Sequence, residues 1–261
     1  MKFLCLRQPV RLTLRFARMV SSFRADDMHI TLTNNPQRKP DNSQLVFGAN
    51  MSDHMLVVDF TASLGWGRPH ILPLDTLPIH PAAKVLHYGA ELFEGMKCYR
   101  GVDNKIRLFR PMENMLRMTR SAARTALPPF DELELLKCIK KLVSIDQEWV
   151  PYADDCSLYL RPTYIGTEPS LGVTLSADAK LFVITGPVGP FFPTGMKAVR
   201  FLADPQFVRA WPGGCGAYKM GSNRSSNRYH PSHPPCCCCA TVGRSKLMRM
   251  SKARRSSTFY L

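Results

Sequence analysis

Apolar and polar positions follow two distinct periods along the middle of the chain. Met55-Leu-Val-Val-Asp-Phe60 is almost continuously apolar and predicts a strand, closed by the turn-forming Gly65-Trp-Gly-Arg-Pro69. Ile106-Arg-Leu-Phe109 predicts a second short strand. Pro111 then opens a helix on which Met115, Leu116, Ala122, Ala123 and Ala126 fall at helical spacing, with Arg117, Arg120 and Arg124 on another face. A second helix is marked by Asp131 and Glu134, spaced as a capping box, and by the stripe Leu135, Leu136, Ile139, Leu142 and Val143. In Ser157-Leu-Tyr-Leu-Arg-Pro162 the period is two, so Tyr159 and Arg161 share one strand face while Leu158 and Leu160 share the other. Lys180-Leu-Phe-Val-Ile-Thr185 and Met196-Lys-Ala-Val-Arg-Phe-Leu202 predict further strands. Between them, Gly186-Pro-Val-Gly-Pro-Phe-Phe-Pro-Thr-Gly195 reads as a connector between domains.

The two ends lack this patterning. Residues 1–25 interleave Leu, Phe and Val with arginine and hold no acid; Arg7, Arg11, Arg15 and Arg18 fall on one helical face, interrupted at Pro9. That is the composition of a mitochondrial presequence, the alternative being a structureless basic tail. Residues 26–44 are polar and turn-rich and predict a linker, with folded structure beginning near Leu45. The expected organisation is a small α/β (α+β) domain over 45–186, a connector over 187–198, the start of a second domain over 199–223, and a tail over 224–261.

Charge sharpens this division. The 261 residues carry a formal +15, but 1–25 hold six basic residues and 224–261 hold eight, with no acid in either. The body between them has 21 basic against 20 acidic residues, a net of +1. Without a basic face on a folded domain, nothing in the charge predicts nucleic-acid binding. No apolar run reaches the ~18 residues of a membrane span, which predicts a soluble protein. Cys5, Cys98, Cys138, Cys156 and Cys215 stand singly, with no disulfide or zinc spacing, and fit a reducing compartment. His230, His233 and the adjacent Cys236–Cys239 lack the spacers a tetrahedral zinc site needs, so no metal is expected.

The candidate chemistry centres on one lysine. Arg209-Ala-Trp-Pro-Gly-Gly-Cys-Gly-Ala-Tyr-Lys219-Met-Gly-Ser-Asn223 surrounds it with glycines that let the backbone turn tightly and approach a ligand. An amine stripped of part of its hydration attacks carbonyl carbon, as a cofactor-bearing lysine does; the other reading is a solvated lysine between turns. The arginine row on the first helix suits either a phosphate or a solvated face. Tyr159 with Arg161 likewise suits a carboxylate or a solvated sheet face.

Taken together, these pieces closely resemble the branched-chain amino-acid aminotransferases. The resemblance rests on Leu45-Val-Phe-Gly48, Asp53-His-Met-Leu56, His87-Tyr-Gly-Ala-Glu-Leu-Phe-Glu-Gly-Met-Lys97, Leu108-Phe-Arg-Pro111, Ser157-Leu-Tyr-Leu-Arg-Pro162, Gly166-Thr-Glu-Pro-Ser-Leu-Gly172, Leu202-Ala-Asp-Pro205 and Tyr218-Lys-Met-Gly-Ser-Asn223. It covers about residues 45–223 in unbroken order, and the basic start resembles the mitochondrial form.

That resemblance implies a fold-type IV enzyme using pyridoxal 5'-phosphate, in a homodimer. It would move the amino group between leucine, isoleucine or valine and 2-oxoglutarate, giving glutamate. Lys219 matches the lysine that carries the cofactor and shuttles a proton, and Arg117 a contact to the cofactor phosphate. Phe47, Tyr88, Phe93 and Tyr159 match walls of the side-chain pocket, with Arg161 beside it. Leu171 and Val173 match residues that one subunit inserts into its neighbour's pocket.

The resemblance stops after Asn223. Arg224 stands where the family has a cofactor-contacting tyrosine, and the family's acidic partner of the pyridine nitrogen, further phosphate donors and Cys-x-x-Cys pair have no counterpart. The alternative expectation is therefore a catalytically inactive fragment that either fails to fold or joins a complete enzyme as an inactive heterodimer, its basic tail without structure.

Overall fold

The computed structural model describes residues 22–190, 199–201, 210–225 and 257–259. In chain order, β1 (His29–Ile30), β2 (His54–Thr61), β3 (Gly65–Trp66) and β4 (His70–Pro73) come first. Then follow α1 (Lys84–Tyr88), β5 (Glu91–Phe93), β6 (Met96–Arg100) and β7 (Ile106–Leu108). The helices α2 (Pro111–Thr125) and α3 (Glu132–Ile145) precede the long strands β8 (Ser157–Gly166) and β9 (Asp178–Val188). These nine strands form one sheet in the order β1-β4-β2-β9-β8-β6-β7, with β3 beside β2 and β5 beside β8. Among the described strands only β1 and β4 run parallel; β2, β8 and β9 form the antiparallel centre. The class is mixed α/β with the helices gathered between strand runs, an α+β arrangement.

The core lies between the sheet and the α2–α3 pair. Leu56, Val58, Leu158, Leu160, Leu181 and Val183 from the strands meet Met115, Met118, Leu135, Ile139 and Leu142 from the helices. All five residues of the α3 stripe are buried, joined by Cys138. On α2 the buried face is Met115, Met118, Ser121 and Ala122, and Leu116 is exposed. The expected apolar stripe is thus rotated, because the helix turns a polar residue, Ser121, inward.

The N-terminal boundary also differs from expectation. Asp131 does cap α3, accepting from Leu133 N at 2.8 Å and Glu134 N at 3.1 Å. The return bond of a capping box is not made. Instead the Glu134 carboxylate accepts Ala25 N–H at 2.7 Å, and Asp131 N–H donates to Ser22 Oγ at 2.8 Å. Phe23 is buried edge-on against Trp66, ring centroids 5.1 Å apart. Beyond it β1 pairs with β4, and Thr33 N–H donates to His54 Nε2 at 3.0 Å. Folded structure therefore starts by Ser22 rather than Leu45, and the stretch read as a linker, 26–44, is tied to the fold. Such ties are single hydrogen bonds and a two-residue strand, which leave no apolar period to read. Of the presequence-like segment, residues 1–21 lie outside the described residues.

At the other end β9 runs through Val188, paired with Ser157, so the connector begins later than residue 187. Residues 191–198 and 202–209 lie outside the described residues. Of the strand expected over 196–202, β10 (Val199–Phe201) is described, and it pairs antiparallel with β11 (Ser257–Phe259). The expected structureless tail thus contains at least one strand; residues 226–256 lie outside the described residues. Among the described residues no helix is long and apolar enough to cross a membrane.

Candidate active site

Lys219 is fixed by its backbone. Its N–H donates to the buried Ser121 Oγ of α2 at 3.1 Å, and its carbonyl accepts Phe93 N–H at 3.0 Å. Met220 forms a bridge to Leu92 of β5. Asn223 Nδ2 donates to the carbonyls of Cys215 and Tyr218 and folds the segment over itself. A Cβ at Gly221 would meet the Glu91 carboxylate, which would have to move aside.

The lysine ammonium reaches towards a buried carboxylate. Its Nζ lies 3.9 Å from Glu94 Oε2 and 5.4 Å from the Phe93 ring centroid. Glu94 sits in the turn between β5 and β6, fully buried. Arg117 Nε donates to its Oε1 at 2.5 Å and Arg117 Nη2 to its Oε2 at 2.7 Å. Asn114 Nδ2 adds a bond at 3.0 Å and Gly95 N–H one at 3.1 Å. Burial pushes the Glu94 carboxyl up, but bonds from Arg117 and Asn114 and the charges of Lys219 and Arg117 outweigh it, so it lies below its ordinary value and is ionised at neutral pH. Arg117 is raised in turn by the Glu94 bond. The arrangement is two cations gathered around one anion.

An aromatic wall adjoins them. Phe47 and Tyr159 pack edge to face with centroids 4.9 Å apart. Arg161 donates to the Tyr159 hydroxyl from Nε at 3.2 Å and from Nη2 at 2.9 Å, and its guanidinium lies 4.7 Å from the Phe93 ring centroid. A Cβ at Gly95 would strike that hydroxyl, so the β5–β6 turn needs glycine there. Phe47 remains 47% exposed.

Tyr88, Leu171 and Val173 lie on or against the loop after β8. The Tyr88 hydroxyl donates to the Leu171 carbonyl, while Leu171 and Val173 project from the loop after β8, 60% and 87% exposed. The same loop is held from below by Lys84, whose buried Nζ bonds Glu168 at 2.8 Å, Thr174 Oγ1 at 2.6 Å and the Leu175 carbonyl at 2.9 Å. Within this one chain direct contacts link Lys219, Arg117, Phe93, Tyr159, Arg161 and Phe47, while Tyr88 is joined to Leu171 by their own hydrogen bond. Of the aligned arginines only Arg117 joins the Glu94 cluster; Arg124 lies 5.9 Å from the Tyr218 ring centroid. A cavity of about 510 Å³ lined by Phe60, Ala122, Phe130 and Leu175 includes none of these site residues. Among the described residues no cluster of three His, Cys, Asp or Glu could hold a metal.

No protein-family model matches the chain. Over 206 residues it is 59% identical to the cytosolic branched-chain-amino-acid aminotransferase of Mus musculus, covering 78% of this chain and 53% of that protein. The mitochondrial form from Bos taurus is 54% identical over 205 residues, with 78% of this chain and 52% of that one covered. Over these residues the chain is similar to branched-chain aminotransferases. It spans about half the length of the curated relatives it matches. Among solved structures, the branched-chain aminotransferase of the thermophilic archaeon Thermoproteus uzoniensis with norvaline superposes with a TM-score of 0.52 at 21% identity, covering 66% of this chain and 53% of that one. A branched-chain amino acid aminotransferase solved with pyridoxamine 5'-phosphate gives the same TM-score of 0.52 at 22% identity, over 66% of this chain and 52% of that one. Over the matched residues the fold is that of the branched-chain aminotransferases.

Three residues of this cluster are not marked out by the sequence: Glu94, Asn114 and Ser121. Glu94, three residues after Glu91, carried no sequence signal that separates a buried, paired acid from a solvated one. Ser121 carried none, because its role lies in a contact with a segment 98 residues away.

Proposed function

We propose that the chain carries out branched-chain amino-acid transamination, moving the amino group of leucine, isoleucine or valine to 2-oxoglutarate with pyridoxal 5'-phosphate. The observation that carries this reading is the backbone-fixed Lys219 with its amine beside the Glu94–Arg117 pair and the Phe93 ring. The residues fit that cofactor. Lys219 is an amine able to bond an aldehyde carbon, and Arg117 spends Nε and Nη2 on Glu94 while no described residue accepts from Nη1. That leaves donors for a phosphate. When bound, the cofactor supplies the electron sink for amino transfer. Lys219 would then hold the cofactor and move a proton at its Nζ.

Substrate choice follows from the wall. Phe47, Phe93 and Tyr159 reward an aliphatic side chain by burial, at ~0.8 kcal/mol per CH₂. The Arg161 guanidinium and Tyr159 hydroxyl at its edge suit the second carboxylate of glutamate. Leu171 and Val173, exposed on a loop stiffened by Lys84 and Tyr88, suit insertion into a second copy, making the working form a homodimer. The acid-free basic start supports delivery to the mitochondrial matrix, and relatives occur in cytosolic and mitochondrial forms.

The test uses the purified full chain. Borohydride reduction with pyridoxal 5'-phosphate should leave the cofactor's mass on Lys219, and leucine with 2-oxoglutarate should yield glutamate. A folded chain that gives neither overturns the reading and fits the inactive fragment instead.

A further inference from the structure

We propose that Glu94 is a positioning residue that locks the Arg117 guanidinium side-on, so that its Nη1 end is presented to the cofactor phosphate beside Lys219. The inference rests on the function proposed above and adds a residue to it.

Four features of Glu94 support it. The side chain is fully buried, which a carboxylate tolerates only when its lone pairs are filled and its charge is paired. Both conditions are met: Oε1 takes Arg117 Nε, and Oε2 takes Arg117 Nη2, Asn114 Nδ2 and Gly95 N–H. Its own backbone is anchored, since Glu94 N–H donates to the Pro162 carbonyl at 2.7 Å. The carboxylate is therefore a fixed point, whereas the Arg117 side chain is 40% exposed. Two parallel bonds to a fixed carboxylate set both the position and the plane of a guanidinium, and they use the Nε–Nη2 edge. What remains is the Nη1 end, pointing away from the buried anion.

Charge balance argues the same way. Arg117 and Lys219 both approach Glu94, so the trio carries a net single positive charge. Without Glu94 two cations would face each other across the site and Arg117 would swing towards solvent. With it, the attraction for an anion survives and its location is fixed.

The experiment compares pyridoxal 5'-phosphate with pyridoxal, which has the same aldehyde and no phosphate, by titrating the full chain and following quenching of tryptophan fluorescence. The wild type should prefer the phosphorylated form. Glu94→Gln should cut that preference by about tenfold, the size of one charge-assisted hydrogen bond; any effect through Lys219 Nζ, 3.9 Å from Glu94, falls on both ligands and cancels in the ratio of their affinities. Glu94→Asp should recover part of it. In an Arg117→Ala background, a Glu94 substitution should cost nothing further.

Equal losses for both ligands, or an unchanged preference in a variant with native near-ultraviolet circular dichroism, would overturn the proposal. If Glu94→Gln does not fold, Glu94→Asp with and without Arg117→Ala decides: the same loss in both backgrounds rejects it. A wild type that binds both ligands without preference removes the phosphate role of Arg117 and Glu94 but leaves the Lys219 reading standing. A folded wild type that binds neither removes the functional reading and this proposal together.

Discussion

Ser121 Oγ, on the buried face of α2, accepts the backbone N–H of Lys219 at 3.1 Å. The lysine is thus attached to the same helix that carries Arg117 four residues earlier, one turn away on the same side. The candidate nucleophile and the candidate phosphate ligand share one rigid element as their reference, although they are 102 positions apart in the chain.

Ser121→Ala should loosen that attachment. It leaves the Lys219 N–H without its acceptor in a partly buried position, a cost of about 1–2 kcal/mol. Hydrogen exchange should show faster exchange at residues 218–220 with the α2 amides unchanged. Unaltered protection at Lys219 would mean that the Phe93–Lys219 bond alone holds the segment.

Lys84→Met should release the loop after β8. Methionine keeps most of the buried stem but supplies none of the bonds to Glu168, Thr174 and Leu175. Residues 168–176 should then become the first site of limited proteolysis, while the α3 core stays protected. A digestion pattern identical to wild type would show that the Tyr88–Leu171 bond suffices.

The sequence disclosed those elements whose burial is regular. Leu135, Leu136, Ile139, Leu142 and Val143 describe α3 because every buried position there is apolar, and β8 was legible from its strict alternation. On α2 the same reasoning chose Leu116 over Met118, since apolar periodicity cannot register an inward-facing Ser121. The lysine and the arginine were legible by type and motif. Glu94, the residue joining them, was not, because a side chain's partners are a property of the tertiary fold.

Phe23 marks where the folded domain begins, so any processing of the N-terminus must cut before Ser22. Phe23→Ala, which empties a space beside Trp66, should destabilise by about 3 kcal/mol. Denaturant unfolding of the wild type and the variant measures this; a neutral Phe23→Ala would place the boundary further along the chain.

Acid should weaken the fold through named carboxylates. Glu134 lies below its ordinary value of 4.5 because of the Ala25 N–H and then Lys137, and Glu168 because of Lys84 and the Ala177 N–H. Asp103 falls from 3.8 to about 2 through its bond to Arg107. Folded values below unfolded ones mean that the unfolded chain takes up more protons as pH falls. The stabilisation is therefore complete above the unfolded value, near 4.5 for the glutamates, and is lost as pH drops through the folded values. Glu134→Gln gives the clean test, since its amide oxygen still accepts from Ala25 N–H but no longer titrates. Its unfolding temperature should fall less steeply than that of the wild type below about pH 4.5. Parallel curves would show that Glu134 carries no linkage and that the N-terminal clamp does not depend on its charge.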